Sequence, residues 1–310
     1  MAKFTDYTEK TEPVDTDLAL IYDTQAKVNK KFTFGNLWKW IAKKIVSEGI
    51  SQLDTTNKTI PGAINELNSN SVRNSAAGHN SIFRGKNLGT SYTSAMSKAI
   101  QSGTFDDLFV GDYLTINGTV YRVAGFNLGK QIGDNTSMGN SMCLVPDSAL
   151  YNAQMHNTDS GQYTEGAAAN TTTGAYANSD MRTANLAQAT QKIVSDFGSS
   201  HVMSYRDILP NATVDGQASG WAWYDCKVEL MSETMVYGTK VWANSGYEVG
   251  CINSQFPLFA LAPEYIHRRF DYWLRGVGSA TSFCFVGGYG GASLTGASGS
   301  IGVRPFFFVN

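Results

Sequence analysis

The chain has 310 residues, of which 42% are hydrophobic and 16% are charged, and its formal net charge at pH 7 is −2. This length favours one large domain with extensions, or two domains. A net charge so close to zero gives no electrostatic basis for binding nucleic acid or a membrane surface, so we expect neither as a partner. Charged residues fall below the usual share of about 25%, and the Gly, Ser, Thr and Asn that replace them are typical of loop-rich β structure and extracellular fibres.

The N-terminal residues 1–17 (MAKFTDYTEKTEPVDTD) are polar and contain no hydrophobic run, so they do not predict a secretory signal. No apolar run in the sequence approaches the roughly 20 residues of a membrane-spanning helix. A protein that leaves its cell inside a virus particle needs neither feature, so a role outside the cell stays compatible with the sequence.

Residues 17–34 predict a short hairpin, in which the apolar side chains of Leu18, Leu20 and Tyr22 alternate with their neighbours. Residues 34–46 then change to helical spacing. The apolar face of this predicted helix consists of Phe34, Leu37, Trp38, Ile41 and Ile45.

A helix of barely three turns is marginally stable alone, so Trp38, Trp40 and Ile41 need a partner surface. Packing on the same chain and docking on neighbouring subunits or a virion are both open. We treat these three residues as candidates for attachment.

Within residues 50–72 the sequence predicts a second helix that begins near Pro61, because proline suits a first helical turn. Ile60, Ile64 and Leu67 follow one another at steps of four and three, which is the spacing of an a/d seam. These three residues are therefore candidates for oligomerisation. The seam lasts barely two heptads, so its periodicity alone does not establish a coiled coil.

A Ser/Asn/Gly-rich stretch at 68–81 is typical of a linker. We therefore predict an attachment segment at 1–49, a short helical oligomerisation region and linker at 50–81, and a compact domain at 82–310.

Two helices are predicted in this domain. Residues 91–103 form the first, which ends at Gly103. Residues 179–198 form the second, with Ser179 as its N-cap and Gly198 as its end. The apolar face of the second helix consists of Leu186, Ala189, Ile193 and Phe197.

Residues 112–126 predict a β-hairpin, because two alternating β-rich runs flank the turn pair Asn117-Gly118. Residues 142–146 (MCLVP) predict a short buried strand. Further candidate strands lie at 201–209, 220–231 and 236–244. The expected fold class is α+β, with two helices packed on antiparallel strands and many irregular loops.

Chemically active residues show no spacing that marks a catalytic or metal site. The four cysteines (Cys143, Cys226, Cys251 and Cys284) are scattered and allow three disulfide pairings, among which the sequence does not choose. We expect buried free thiols instead, because Cys is among the most frequently buried residue types. The four histidines are dispersed without an HxH or HExxH motif. Asp106, Asp107 and Asp112 could serve a Ca²⁺ ion, but we expect turn capping. We predict no enzyme, no cofactor and no metal.

The C-terminal stretch has the most unusual composition. Between Arg275 and Arg304 there is no charged residue, and this interval contains nine glycines. Phe306–Val309 follow as an apolar run suited to a buried strand. A Gly/Ser/Tyr-rich surface is similar to an antibody paratope, in which Tyr supplies contact area and Ser and Gly supply adaptable hydrogen bonds. A glycine-rich structural loop without a partner is the alternative.

Several strings in the chain resemble phage and bacterial proteins with a C-type-lectin-like fold, including the major-tropism-determinant-like variable proteins of diversity-generating retroelements. The strings are WLR at 273–275, SATSF at 279–283, GVRPFFFV at 302–309, and the stretches 111–126, 174–182 and 228–238. The resemblance covers roughly 82–310. AINELN at 63–68 is similar to strings near the trimerisation segments of phage fibre proteins.

This resemblance implies a bacteriophage virion fibre or adhesin that binds a host-surface receptor, either a glycan or a protein, through its C-terminal loops. It also implies a homotrimer, contacts with other virion proteins through the N-terminus, and a location on the virion surface after assembly in the host cytoplasm. A capsid or tail decoration fibre without a specific receptor is the alternative. The same fold includes formylglycine-generating enzymes, but their dependence on cysteines and metal has no marked counterpart here.

The resemblance also assigns site residues. Framework positions would be Trp273, Arg275, Arg304 and Pro305, with the two arginines anchoring loops through hydrogen bonds to carbonyls or acids. The receptor-binding and variable positions would be Gly276, Gly278, Ser282, Phe285, Gly287, Gly288, Tyr289, Gly291, Ser293, Leu294, Thr295 and Gly299.

Overall fold

The computed structural model describes residues 8, 10–45, 56–70, 75–159, 161–162, 169–243 and 250–310, and it describes side-chain surroundings for all of these except 67–70. The chain divides into two compact units, Met1–Ser71 and Val72–Asn310. No helix among the described residues is long and apolar enough to cross a bilayer.

The first unit contains an antiparallel hairpin of β1 (Leu18–Asp23) and β2 (Val28–Thr33), followed by helices α1 (Phe34–Lys44) and α2 (Ile60–Asn70). The carboxylate of Asp23 accepts hydrogen bonds from two backbone N–H groups of the hairpin turn and pairs with Lys30. The predicted hairpin and both predicted helices are therefore confirmed.

Local capping explains where these two helices begin. Thr33 Oγ1 accepts a hydrogen bond from Asn36 N at 3.2 Å, and Thr59 Oγ1 accepts one from Gly62 N at 3.1 Å. Each hydroxyl thereby satisfies a backbone donor that has no partner inside its helix.

The second unit has α+β architecture. Its helices are α3 (Ala76–Asn80), α4 (Ser94–Ser102), α5 (Leu186–Phe197), α6 (Glu233–Tyr237) and α7 (Pro257–Leu261). Its strands are β3 (Tyr113–Ile116), β4 (Thr119–Phe126), β5 (Met142–Pro146), β6 (Asn152–Ala153), β7 (Tyr205–Val214), β8 (Gln217–Cys226), β9 (Val228–Leu230), β10 (Tyr272–Val277), β11 (Ser282–Val286), β12 (Ala292–Gly296), β13 (Ile301–Gly302) and β14 (Pro305–Val309).

These strands form two five-stranded sheets and one two-stranded ribbon. The first sheet has the order β3-β4-β5-β14-β9, the second has the order β12-β11-β10-β13-β6, and β7 pairs with β8. All pairings are antiparallel except that of β10 with β13. The glycine-rich C-terminal interval thus contributes β11 and β12 at one edge of the second sheet.

The strand β14 is the centre of the core. It lies between β5 and β9, and its apolar run is buried on both faces, as a central strand requires. Phe307 packs against Phe197 of α5, with ring centroids 5.1 Å apart. On the opposite face, Phe308 packs edge-to-face against Tyr205 at 4.9 Å. The predictions of a buried C-terminal strand and of a buried strand at 142–146 are confirmed.

Residues with positive φ form the turn of the predicted hairpin and end the two predicted helices. Asn117 and Gly118 have φ values of 47° and 77°, as a two-residue hairpin turn requires. Gly103 ends α4 with a φ of 78°, and Gly198 ends α5 with a φ of 89°. Ser179 accepts a hydrogen bond from Arg182 N at 3.3 Å, at the start of a π-helical turn that leads into α5.

The predicted strand at 236–244 is wrong for residues 236–243, which end a short helix and then surround a buried carboxylate; residue 244 lies outside the described residues. Ser232 caps α6, and Gly238 ends it with a φ of 79°. The carboxylate of Glu233 then accepts hydrogen bonds from the backbone N–H groups of residues 241–243 at 2.8–3.1 Å. These donors are therefore satisfied without a neighbouring strand. The other two candidate strands correspond to β7, β8 and β9.

Candidate functional site

The hairpin of β11 and β12 ends in a tight glycine-rich turn. Phe285 pairs with Ser293 in the strands, and Gly287 N donates to Gly291 O at 2.9 Å where the turn begins. Gly290 has a φ of 92°, a conformation that side chains rarely adopt. Tyr289 lies at the tip, and 89% of its surface is exposed.

Two side chains from other elements fix this turn. Asp271 Oδ1 accepts a hydrogen bond from Gly288 N at 2.7 Å, and the hydroxyl of Tyr237 donates to Gly290 O at 3.0 Å. The turn is consequently held at two points, although its own composition would allow much conformational freedom.

A groove of about 640 Å³ lies beside the turn. Five predicted contact positions line it, namely Phe285, Gly287, Gly288, Tyr289 and Ser293. Arg269, Phe270 and Asp271 complete the lining. The groove therefore combines aromatic rings, a hydroxyl, a cation and a carboxylate, and its volume is within the usual range for ligand sites.

Arg269 has an unusual backbone conformation. Its φ is 62°, which is costly for a residue with a long side chain. Its guanidinium lies 5.9 Å from the ring centroid of Tyr289, close enough for a cation–π interaction. Residues held in such conformations are often found at ligand clamps.

Trp242 lies against the outer edge of the same hairpin. Its indole N–H donates to Ala292 O at 3.0 Å, while much of its ring is exposed. Because the carboxylate of Glu233 holds the backbone of Trp242, the ring has a fixed support. Trp242 therefore extends the exposed aromatic surface around β12.

The twelve predicted contact positions separate into two groups. The group in or beside the turn consists of Phe285, Gly287, Gly288, Tyr289, Gly291 and Ser293. The other group lies on β10, between β10 and β11, on the rest of the hairpin or beyond β12, and it consists of Gly276, Gly278, Ser282, Leu294, Thr295 and Gly299. Only the first group gathers around the groove.

Gly276 needs a correction, because it is buried and presents no surface for a receptor. A Cβ atom there would lie 2.9 Å from Ala243 Cβ and 3.1 Å from Cys284 Sγ. Gly278 is also confined, since a Cβ atom there would lie 2.1 Å from a methyl carbon of Leu294. The close approach of Ala243 therefore explains Gly276, whereas the neighbour of Gly278 is the movable end of the Leu294 side chain.

The four framework positions are all buried. Trp273 donates its indole N–H to Ala153 O at 2.8 Å, and Pro305 pairs with Leu230 in the first sheet. Arg275 forms an ion pair with Asp207 at 2.7 Å. Burial alone would lower the pKa of Arg275, but Asp207 raises it above its ordinary value.

Arg304 is buried without such a carboxylate pair among the described residues. Its Nε donates to Pro146 O at 2.8 Å and its Nη1 donates to Ile266 O at 3.2 Å. Burial lowers the pKa of Arg304 below its ordinary value. The predicted hydrogen bonds of both arginines to acids or carbonyls are therefore present.

Replacing Arg304 with alanine should lower the free energy of unfolding by about 2 kcal/mol. The change leaves the carbonyls of Pro146 and Ile266 unsatisfied and opens a cavity, but it also removes a poorly compensated buried charge. Chemical denaturation of the two full-length chains measures the difference. An unchanged unfolding midpoint would contradict the framework role.

The cysteines and the acidic cluster before the first hairpin of the second unit have structural roles. All four cysteines are buried thiols, and burial raises the pKa of Cys251 to about 12. Asp112 accepts hydrogen bonds from the backbone of Phe109 and Lys86, both at 2.8 Å, which confirms turn capping for this residue. Across the described ranges, no three His, Cys, Asp or Glu side chains are grouped to hold a metal ion.

The predicted attachment and oligomerisation residues lie in the first unit. Trp38 and Trp40 are 65% and 58% exposed, and Ile41 is half-buried. Ile60 and Ile64 are 49% and 59% exposed. The backbone of Leu67 belongs to α2, but its side chain lies outside the described residues.

The sequence did not identify Trp242, Arg269, Phe270 or Asp271 as parts of the site. One available signal was the position of Arg269 and Asp271 immediately before the WLR string and the uncharged interval. The backbone conformation of Arg269 and the edge position of Trp242 depend on tertiary contacts that a single sequence does not reveal.

Comparisons with models of protein families, with curated proteins and with solved structures found no match to this chain.

Proposed function

We propose that this chain is a bacteriophage virion fibre or adhesin whose second unit binds a host-surface receptor. The observation that carries the proposal is the fixed turn at the β11–β12 edge, where the exposed ring of Tyr289 borders a groove. A rigid scaffold that presents aromatic, glycine and serine residues on a loop is well suited to recognition of a partner.

We propose further that the second unit is a C-type-lectin-like domain. Its α+β architecture, the central position of β14 and the burial of Trp273 and Arg304 support the framework role that the resemblance assigns to Trp273, Arg275, Arg304 and Pro305. Under this proposal the WLR and GVRP strings form the rigid support, and the intervening hairpin forms the contact surface.

The first unit supports the attachment part of the proposal. Large apolar side chains such as Trp38, Trp40 and Ile64 are exposed there, and exposed apolar surface commonly marks an interaction site. We propose that other virion proteins cover α1, and that a homotrimer of this chain covers the α2 seam.

Removal of residues 1–71 should leave a folded monomer, whereas the full chain should sediment as a trimer. The expected reason is that the compact second unit has its own core, while the exposed seam residues Ile60 and Ile64 lie in the deleted part. Analytical ultracentrifugation with circular dichroism measures both properties. A truncated chain that still forms a trimer would show that the seam is not responsible for assembly.

A competition experiment tests the receptor role directly. Purified full-length protein should reduce adsorption of its phage to host cells, and the Tyr289→Ala variant should compete at least about tenfold less well. The matched control is Tyr22→Ala, which removes another exposed tyrosine from the first unit. Equal competition by wild type and Tyr289→Ala would favour the decoration-fibre alternative.

The diversification implied by the resemblance has its own genetic test. In that family, variation arises at adenines of a template copy, mostly in Asn codons. The neighbouring DNA should therefore contain a near-copy of the 3′ coding region beside a reverse transcriptase gene. Related isolates should vary at the turn positions and keep Gly276, because its site has no room for a side chain.

A further inference from the structure

We propose that the groove beside Tyr289 binds a carboxylate-bearing sugar of a surface glycan, with Arg269 receiving the carboxylate and the aromatic rings receiving the sugar ring. This inference rests on the proposed receptor function and names the chemical class of the receptor.

The first argument is the electrostatic state of Arg269. It is exposed at the groove, and none of the ion pairs among the described residues includes it. Its neighbour Arg268, in contrast, pairs with Asp147 at 3.4 Å. Arg269 therefore keeps its planar fork of donors available for a carboxylate, which such a fork binds in a bidentate manner.

The second argument is that the structure keeps Arg269 in place at an energetic cost. A φ of 62° is unfavourable for arginine, yet it accompanies a position of the guanidinium near Tyr289. Glycine would adopt this backbone conformation without strain. An arginine at position 269 therefore destabilises the loop relative to glycine, and an interaction of its side chain with a ligand would explain why it is present.

The third argument concerns the acid in the groove. Asp271 uses Oδ1 to hold Gly288 N at 2.7 Å, so part of its charge is compensated by the turn. Its other oxygen and the hydroxyl of Ser293 are acceptors suited to sugar hydroxyl groups. A cation at one point and hydroxyl acceptors at others match a sugar that carries one carboxylate and several hydroxyls.

The aromatic lining fits the apolar face of a sugar ring. Tyr289 is exposed over 89% of its surface, and Phe270 and Phe285 are half-buried in the groove wall. Tyr combines an apolar ring with a polar tip, so it serves ligands that present both kinds of surface.

An acidic peptide is the competing ligand, and the edge of the sheet disfavours it. A peptide would most readily add as a strand to the edge strand β12. Trp242 already donates its indole N–H to Ala292 O at this edge, and its ring lies there. Because one edge acceptor is occupied, strand addition would require displacement of Trp242.

The test uses the full-length chain and a panel of oligogalacturonate, oligoguluronate and oligosialic acid, each with its methyl ester. Calorimetry should detect binding of at least one acid, and its methyl ester should bind at least about tenfold more weakly. Arg269→Gly should lose about tenfold or more in affinity while its thermal stability is kept or raised, since glycine relieves the strained φ. Arg268→Ala removes an equal charge outside the groove and should bind normally.

The other outcomes overturn the inference. Binding of a poly-glutamate peptide in place of the sugars would identify an acidic protein epitope, and equal binding of acid and ester would show that no charge is recognised. If no acidic sugar binds but the full chain still blocks phage adsorption through Tyr289, the receptor function stands and the glycan assignment fails. If adsorption is also unaffected by Tyr289→Ala, the proposed function itself fails.

Discussion

Replacing Arg275 with alanine should lower the free energy of unfolding by about 3–5 kcal/mol. Arg275 and Asp207 are both buried, and their N···O distance is 2.7 Å. Without the guanidinium, the carboxylate of Asp207 would stay buried, and its hydrogen bonds from the backbone N–H groups of Cys251 and Ile208 would not replace the lost positive charge. An uncompensated charge in the interior is among the most costly consequences of a single substitution.

Two further variants make this prediction specific. Arg206→Ala removes a half-buried arginine that neighbours Asp207 in β7 and pairs with the exposed carboxylates of Asp134 and Asp225, and it should cost about 1 kcal/mol. The double variant Asp207→Leu with Arg275→Met should recover much of the loss, because no buried charge remains. Denaturant unfolding of all chains measures these differences. Equal losses in Arg275→Ala and Arg206→Ala would contradict the role of the buried pair.

The consequence for the site is mechanical. Arg275 lies in β10, its backbone N–H donates to Met231 O, and its side chain holds Asp207 in β7. The strand β10 pairs in turn with β11, which carries the contact turn. The ion pair therefore connects β10, the strand next to the edge hairpin, to β7 of the ribbon, and the receptor binding proposed above should weaken in Arg275→Ala in proportion to the loss of folded protein.

Much of the local structure could be predicted from sequence because it depends on neighbouring residues. The pair Asn117-Gly118 determines a hairpin turn by its own conformational preference. The spacing of Leu186, Ala189, Ile193 and Phe197 determines the buried face of α5. The run at Phe306–Val309 is apolar on both faces, which is possible only for a strand with cover on each side.

The wrong strand at 236–244 illustrates what a local pattern omits. Val236, Tyr237 and Val241 are residue types that favour strands, but Glu233 supplies a buried acceptor for three consecutive backbone donors. A buried carboxylate without hydrogen bonds is energetically costly, and the same bonds satisfy the backbone donors that a neighbouring strand would otherwise satisfy. The partner that decides the structure here is a single side chain, which hydrophobic periodicity does not reveal.

The candidate site was predictable only in part for a related reason. Composition and resemblance together pointed to the interval between Arg275 and Arg304, and half of the predicted positions gather near Tyr289. The groove also requires Arg269 and Asp271, which precede β10, and it borders Trp242, which follows α6. These residues lie at one edge because β10, β11 and β12 pair in that order, which is a property of the sheet topology and not of the local sequence.

Acidification from pH 7 to pH 4 should remove about 3 kcal/mol of stability through one buried histidine, His156. Burial lowers the pKa of His156 to about 4 from an ordinary value of 6.5, and the nearby Asp180 opposes this shift only in part. Above pH 6.5 the imidazole is neutral in both the folded and the unfolded chain, so His156 contributes no pH dependence there. As the pH falls from 6.5 towards 4, His156 becomes protonated in the unfolded chain but stays largely neutral in the folded chain, and unfolding becomes more favourable.

The neutral variant His156→Gln isolates this effect, because it keeps every carboxylate whose protonation also changes with pH. The difference in unfolding free energy between the two chains should be constant above pH 7 and should shift by about 3 kcal/mol in favour of the variant by pH 4. Parallel stability profiles over this range would mean that the buried imidazole accepts its proton as readily as a solvated one.

His156 packs against Phe283 of β11, and its backbone N–H donates to Ala297 O just beyond β12. Protonation would therefore introduce a charge beneath the strands that carry the turn, so the receptor binding proposed above should weaken over the same pH interval in the wild type and not in His156→Gln.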